Sequence, residues 1–163
     1  MHITLKKKNL YFKHYKIKCA IGKRGISKNK KEGDLCTPIG QFVFENLFYR
    51  KDRIKNLKTY IPKKIIRKNM GWCDDPDLRE YNKLVKLPFF GKAEKLFLKN
   101  KSYDLILVIS YNRSPTIPYK GSAIFLHVAS KNFQPTKGCI AITKKDFLKI
   151  LPLIRKKTKI IIS

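Results

Sequence analysis

Apolar residues in this 163-residue chain occur in short runs, and this feature most limits how the chain can fold. Two runs, Leu105–Ile109 and Ala123–Leu126, have the length of a buried β-strand. No run approaches the roughly 18 apolar residues that a membrane-spanning helix needs. The pattern therefore predicts a soluble, mostly β structure and excludes a transmembrane segment.

Shorter patterns predict further strands. Tyr11, Ile17, Cys19 and Ile21 fall on odd positions, several of them separated by lysine, which is the alternation of a half-exposed strand. We expect additional strands at 41–44, 140–142 and 159–162. With a few helices added, the predicted fold class is a mostly β, mixed β-sandwich.

The remaining segments are expected to be a helix and loops. Thr143, followed three residues later by Asp146, is typical of a helix N-cap, and Pro152 is expected to end that helix. The Gly- and Lys-rich segment 22–36 is predicted to be a basic loop. The segment 49–99 is rich in Pro, Asn and charge, so we expect it to run over the surface, with one short helix at 93–98.

Composition supports a single packed domain over residues 1–163. Hydrophobic residues make up 43% of the chain, enough apolar surface to offset the entropy of an ordered backbone. Neither an internal repeat nor a linker divides the sequence. A disordered chain is therefore excluded.

The formal charge of +27 raises the question of a polyanionic partner. However, the cations are 31 Lys and only 7 Arg, and Arg is the side chain that suits bidentate phosphate and guanine contacts. Tyr11, Phe12 and Tyr15 do alternate with lysines, so a basic nucleic-acid-binding domain remains an alternative of another class. No nucleic-acid-binding signature accompanies them, and a specific nucleic-acid partner is not expected. Much of the charge is interpreted as a solvated coat that attracts carboxylate-rich substrates.

Cysteine spacing argues against a metal centre. The four cysteines, at 19, 36, 73 and 139, form no CxxC pair, and the chain has only three histidines. We therefore expect no metal site. No apolar stretch of the signal-peptide type follows Lys6–Lys8, so the residues alone favour a reduced, cytosolic protein or an export route that they do not reveal.

Cys139 and His127 are the pair that carries chemistry. Gly138 precedes Cys139, so the backbone there can direct N–H groups at one point, as a developing oxyanion requires. His127 follows a predicted buried strand, and an imidazole beside a thiol can accept its proton. A buried cysteine with an unrelated core histidine is the competing interpretation. A papain-like protease is disfavoured because its cysteine precedes its histidine in the chain.

Several motifs resemble a known family. His127 followed by Thr136-Lys137-Gly138-Cys139-Ile140-Ala141 resembles the active-site signature of L,D-transpeptidases of the YkuD type. Thr37-Pro38-Ile39-Gly40-Gln41-Phe42 is similar to a second motif of that family. Further segments resemble a compact bacterial subgroup: Glu32-Gly33-Asp34, Gly71–Pro76, Tyr81-Asn82 and Gly121–His127. The similarity covers nearly the whole chain.

The resemblance implies acyl transfer between peptidoglycan stem peptides, in the periplasm or cell envelope. Cys139 would attack the amide before the terminal D-Ala of a tetrapeptide stem, and an amine would resolve the thioester. His127 would be the base, and the Gly138 and Cys139 N–H groups would form the oxyanion hole. Family members are usually acylated by carbapenems, and the scheme needs no metal or cofactor.

Further roles are expectations only. Thr136 is expected to orient His127 or the substrate, and Ser122 to support the histidine loop. Trp72 and Asp74, with Asp75, are expected to form a wall that holds a substrate amine. Arg24 and Arg113 are candidates to bind stem carboxylates.

Two departures from the family pattern concern the acceptor. Lys137 stands where many relatives have His, and only eight residues separate His127 from Thr136. The same Cys-His dyad with water as acceptor would be an L,D-carboxypeptidase or endopeptidase, and the sequence leaves this alternative open. Neither the acceptor nor the oligomeric state is predicted.

Overall fold

The computed structural model describes residues 1–163 and is built mainly of strands. A mostly β class was predicted and is confirmed, with one α-helix, α1 (Lys144–Ile150), and one 3-10 turn, Leu151–Leu153. The strands are β1 (His2–Lys6), β2 (Asn9–Phe12), β3 (Tyr15–Lys18), β4 (Ile26–Ser27), β5 (Thr37–Pro38), β6 (Gly40–Tyr49), β7 (Lys63–Ile65), β8 (Met70–Cys73), β9 (Leu84–Lys86), β10 (Ala93–Lys95), β11 (Leu105–Ile109), β12 (Phe125–Val128), β13 (Ile140–Ile142) and β14 (Lys159–Ile162).

Nine strands form one mixed sheet that nearly closes on itself. Its order is β13-β12-β11-β6-β14-β1-β2-β3, with β7 also paired to β6. The pairs β1–β14, β12–β13 and β6–β7 are parallel and the others antiparallel. Beyond β3, Ala20 exchanges two backbone hydrogen bonds of 2.8 and 2.9 Å with Ala141, which brings the two ends of the sheet together.

Both faces of the central strand β11 are buried, which explains its continuous apolar run. Leu105, Leu107 and Ile109 point into a core of 25 residues inside the curved sheet. Ile106 and Val108 point the other way, into a second core of 10 residues. Cys139 belongs to this second core, so the candidate nucleophile lies on the outer side of the sheet.

The segment 49–99 does not simply run over the surface, and this prediction is wrong. It contains a three-stranded antiparallel sheet, β10-β8-β9, and Trp72 of β8 and Leu96, just after β10, help to form the second core. The expected helix at 93–98 is also wrong, because β10 pairs with β8 and the tertiary contact overrides the helix preference of Ala, Glu, Lys and Leu.

The predicted C-terminal helix is confirmed. Thr143 caps α1, and its hydroxyl accepts a hydrogen bond of 3.1 Å from the Asp146 N–H. Segment 22–36 is largely loop, although β4 within it pairs with β5. No helix in the structure is long and apolar enough to span a membrane.

Candidate active site

Two neighbouring strands place Cys139 and His127 on one face of the sheet. In the parallel pair β12–β13, Leu126 lies beside Ile140, and both point into the inner core. Since side chains alternate along a strand, the residues next to them, His127 and Cys139, face the outer side. The order of the chain therefore delivers a thiol and an imidazole to the same surface.

A cavity of about 560 Å³ opens on this surface, and both side chains line it. Its other walls include the basic loop 30–35, the loop 122–124, the turn 134–138 and the segment 98–103, together with Asp74 and Glu94. A cavity of this size accommodates a peptide fragment of a few residues.

His127 is held as a neutral base. Its Nδ1 lies 3.0 Å from the Val128 carbonyl oxygen, which can only accept, so in the neutral ring Nδ1 carries the proton and Nε2 carries the lone pair. The Tyr103 ring packs edge-on against the imidazole at 5.4 Å between centroids. Burial lowers the pKa of His127 below its usual value, so the ring is uncharged at neutral pH.

Cys139 rests in its protonated form. Its Sγ donates to the Ala123 carbonyl oxygen at 3.1 Å and accepts from the Phe125 N–H at 3.4 Å. Burial, and next the negative charge of Glu94, raise the pKa of the thiol to about 12, against a smaller lowering by the Phe125 N–H. No hydrogen bond joins Sγ to His127, so the S–H must leave the Ala123 carbonyl oxygen before it can donate to the imidazole.

The turn before Cys139 is shaped by Thr136. Its hydroxyl donates to the Cys139 carbonyl oxygen at 2.6 Å and accepts from the Gly138 N–H at 3.1 Å. Thr136 therefore supports the nucleophile turn, while the Gly138 N–H is occupied and the Cys139 N–H forms no hydrogen bond within the chain. The Cys139 N–H is thus the donor free to meet an oxyanion.

Gly138 cannot be replaced without strain. Its φ is 144°, and a Cβ built on it would lie 2.8 Å from the Cys36 carbonyl oxygen. Glycine therefore allows the turn 136–138 to lie close to residues 36 and 37, and Thr37 contacts the turn as a result.

Sequence reasoning gave Thr37 no role. Thr37 is fully buried. Its hydroxyl donates to the Gly138 carbonyl oxygen at 2.8 Å and accepts from the Gly22 N–H at 2.9 Å. A trans peptide group points its C=O and N–H in opposite directions. By holding the Gly138 C=O, Thr37 therefore fixes the direction of the Cys139 N–H.

Asn82 is a second residue that sequence reasoning left without a role. Its Oδ1 accepts from the Ala123 N–H at 3.0 Å and from Trp72 Nε1 at 2.9 Å. Its Nδ2 donates to the carbonyls of Tyr111 and Asn112. Because the Ala123 carbonyl in turn accepts from the Cys139 thiol, Asn82 links the small sheet to the loop that holds the nucleophile.

Three residues that were expected to bind substrate do not line the cavity: Trp72, expected in the wall beside Asp74, and the two candidate carboxylate binders Arg24 and Arg113. Trp72 is buried in the second core, with its indole N–H bound to Asn82. Arg113 Nε donates to Glu45 at 2.9 Å, and its guanidinium stacks over Trp72, so its charge is already engaged. Arg24 is exposed and does not line the cavity. These three expectations are corrected.

Asp74 does line the cavity, together with Glu32 and Glu94. One buried carboxylate oxygen of Asp74, Oδ1, has no hydrogen-bond partner. Burial, and next the charge of Glu32, raise the pKa of Asp74. This wall of the cavity is therefore short of positive charge, although the whole chain carries +27.

Ser122 anchors the loop before β12. Its hydroxyl donates to Glu32 Oε1 at 2.5 Å, and the same oxygen accepts from the Tyr81 hydroxyl at 2.6 Å. Glu32 therefore accepts hydrogen bonds from two side chains near the cavity. Its motif was part of the family resemblance, but sequence reasoning gave Glu32 no role. Nowhere do three or more His, Cys, Asp or Glu side chains meet as metal ligands would.

Comparisons with known proteins assign the family. None of the curated proteins matches the chain. By contrast, residues 2–162 match the YkuD family, described as the L,D-transpeptidase catalytic domain. This match covers nearly the whole chain and agrees with the mostly β fold and with the resemblance drawn from the motifs. The family acts on peptidoglycan, which suggests a place in the cell envelope. The chain belongs to the YkuD family of L,D-transpeptidase catalytic domains.

Proposed function

We propose that this protein is a peptidoglycan L,D-transpeptidase with a Cys139 nucleophile and a His127 base. The observation that carries the proposal is the placement of both side chains on one face of adjacent strands, in the wall of one cavity. The free Cys139 N–H, directed by Thr37, supplies the oxyanion donor that acyl transfer needs.

Acylation uses the neutral His127. Its Nε2 takes the proton from Cys139 as Sγ turns from Ala123 and attacks the carbonyl carbon of the stem amide that precedes the terminal D-Ala. Negative charge on the former carbonyl oxygen is met by the Cys139 N–H. The C–N bond then breaks, the proton on His127 passes to the leaving amine of D-Ala, and a thioester remains.

Deacylation repeats these steps with a new amine. A neutral amine attacks the carbonyl carbon of the thioester, and His127 accepts a proton from it. The C–S bond then breaks, and the proton passes from His127 to the sulfur of Cys139. An amine on a second stem, or on an attached protein, gives a cross-link. Water in the same position gives an L,D-carboxypeptidase or endopeptidase, so the acceptor decides between these activities.

The acidic wall supports recognition of the acyl donor. Asp74 leaves an oxygen unpaired inside the cavity, and such an atom is costly unless a ligand donates to it. A substrate ammonium group, as on diaminopimelate, would satisfy it. Lys137, which forms no ion pair, lines the same cavity, so a substrate carboxylate can pair with its ammonium group.

Intact-mass spectrometry after addition of meropenem tests the proposal. Since a carbapenem mimics the acyl donor, we expect one covalent adduct that peptide mapping assigns to Cys139. The variant Cys139→Ala should form none. An adduct on another cysteine, or none on the parent protein under conditions where it is folded, would contradict the assignment.

Replacing Thr37 tests how the oxyanion donor is oriented. Thr37→Val keeps the side-chain shape but releases the Gly138 carbonyl, so we expect kcat for D-Ala release to fall about 10- to 100-fold. Thr37→Ser keeps the hydroxyl and should retain most of the rate. KM should change little, because Thr37 does not line the cavity.

Thr158→Val is the matched control for lost stability. Thr158 is also buried, and its hydroxyl accepts from the Arg155 N–H at 2.9 Å, away from the cavity. Thr37→Val leaves two backbone groups unpaired, the Gly138 carbonyl and the Gly22 N–H, and Thr158→Val leaves one, at a cost of about 1–3 kcal/mol of stability for each group, but only Thr37→Val should lose turnover. Equal rates in the two variants would remove Thr37 from the mechanism.

A further inference from the structure

A second groove adjoins the cavity that holds Cys139. Its volume is about 690 Å³, and two residues, Lys30 and Glu32, line both spaces. One side is the basic loop 28–32 and the other is the loop 111–120, and the Glu32 N–H donates to the Tyr119 carbonyl oxygen at 2.7 Å between them. The two spaces therefore adjoin at Lys30 and Glu32.

The groove is preformed by Asn112. Its side-chain amide donates to the carbonyls of Ile117 and Gly121, both at 2.9 Å, and its Oδ1 accepts from the Ile117 N–H at 2.8 Å. These three hydrogen bonds fix the conformation of the loop. Ile117 and Tyr119 remain 48% and 55% exposed at its edge, so apolar and aromatic contacts are available there.

Positive charge in the groove is unpaired. Lys28, Lys31 and Lys120 are exposed, and none takes part in an ion pair. The carboxylate of Glu32 is already bound by the hydroxyls of Tyr81 and Ser122. Lys30, the fourth lysine, is committed to Asp34 at 2.6 Å. Three ammonium groups are therefore free to meet anionic groups of a ligand.

We propose that this groove binds the acceptor, a carboxylate-bearing peptide strand whose amine reaches the thioester on Cys139. The inference rests on the proposed function, since transfer between two stems requires two binding sites that meet at one sulfur. The cavity with the acidic wall takes the donor. The adjoining basic groove suits a second peptide, whose free carboxylates pair with lysines and whose apolar parts lie on Tyr119 and Ile117.

A triple variant, Lys28→Gln/Lys31→Gln/Lys120→Gln, tests the groove. Its control is Lys58→Gln/Lys64→Gln/Lys68→Gln, which removes the same charge from exposed lysines outside the groove. A stem tripeptide serves as the acceptor probe, because it lacks the terminal D-Ala and cannot be a donor. Acylation is followed as the burst of D-Ala from a tetrapeptide, and transfer as the yield of cross-linked product over hydrolysed product.

For the groove variant we expect an unchanged burst rate and an acceptor KM raised about tenfold at low salt, with the control near the parent. Salt should reduce the difference. An unchanged acceptor KM, or an equal rise in the control, overturns the groove. A burst that falls with the groove lysines overturns it as well, since the donor would then lie there. If the parent releases no D-Ala at all, the proposed function itself fails.

Discussion

Cys139→Ala is expected to abolish release of D-Ala from tetrapeptide muropeptides, a loss of at least about 10⁴-fold, while the fold survives. The sulfur forms the covalent bond, and alanine offers no substitute for it. Alanine removes only a thiol that contacts the Ala123 carbonyl and the Phe125 N–H at the cavity wall. Release of D-Ala is measured by chromatography of the products, and the fold by circular dichroism.

Cys19→Ala is the matched control. Cys19 is buried in the inner core and does not line the cavity, and burial likewise raises the pKa of its thiol to about 12. The two cysteines therefore share burial and protonation but differ in their surroundings. The control should lose some stability and keep its turnover. Full activity in Cys139→Ala would place the nucleophile elsewhere.

The strands that position the site were largely predictable from sequence. β11 is buried on both faces, and its unbroken apolar run predicts this burial from the sequence alone. The helix cap at Thr143 is equally local, since a hydroxyl binds an N–H three residues away. In each case the signal lies in neighbouring residues, so one stretch of sequence is sufficient.

The small sheet β10-β8-β9 could not be predicted in this way. Its strands have three or four residues, and Trp72 and Leu96 are buried only because the outer face of the large sheet covers them. The residue types in β10 favour a helix in isolation. Pairing with β8 decides the outcome, and nothing in residues 93–98 encodes that partner.

Part of the candidate site could be proposed from the sequence. Cys139 and His127 each lie at the end of a strongly apolar strand, and the resemblance of their motif to a known family favoured a catalytic pair over an unrelated cysteine and histidine. Thr37 contacts Gly138 across 101 positions of sequence, and Asn82 contacts Ala123 across 41. A polar residue in a turn motif gives no local sign of such a partner. Arg113 and Trp72 were wrongly expected to bind substrate, because they contact each other and bind Glu45 and Asn82 within the protein.

His127→Gln is expected to lower the rate of D-Ala release about 10² to 10⁴-fold at neutral pH. Glutamine keeps a polar side chain in the cavity but cannot accept the Cys139 proton. In the parent, burial lowers the pKa of His127, so the neutral base persists below the usual histidine pKa of about 6.5 and the acid limb of kcat/KM should lie below that pH. His14→Gln, on an exposed histidine, should leave both rate and profile unchanged.

Without its base, the variant should depend on thiolate formed by solvent. Because burial raises the pKa of Cys139 to about 12, the thiolate fraction grows tenfold per pH unit across the neutral and alkaline range. The rate of His127→Gln should therefore rise with a slope near one in a plot of log rate against pH, where the parent is flat. A flat profile for the variant would mean that another group accepts the proton, and His127 would then serve only to shape the cavity.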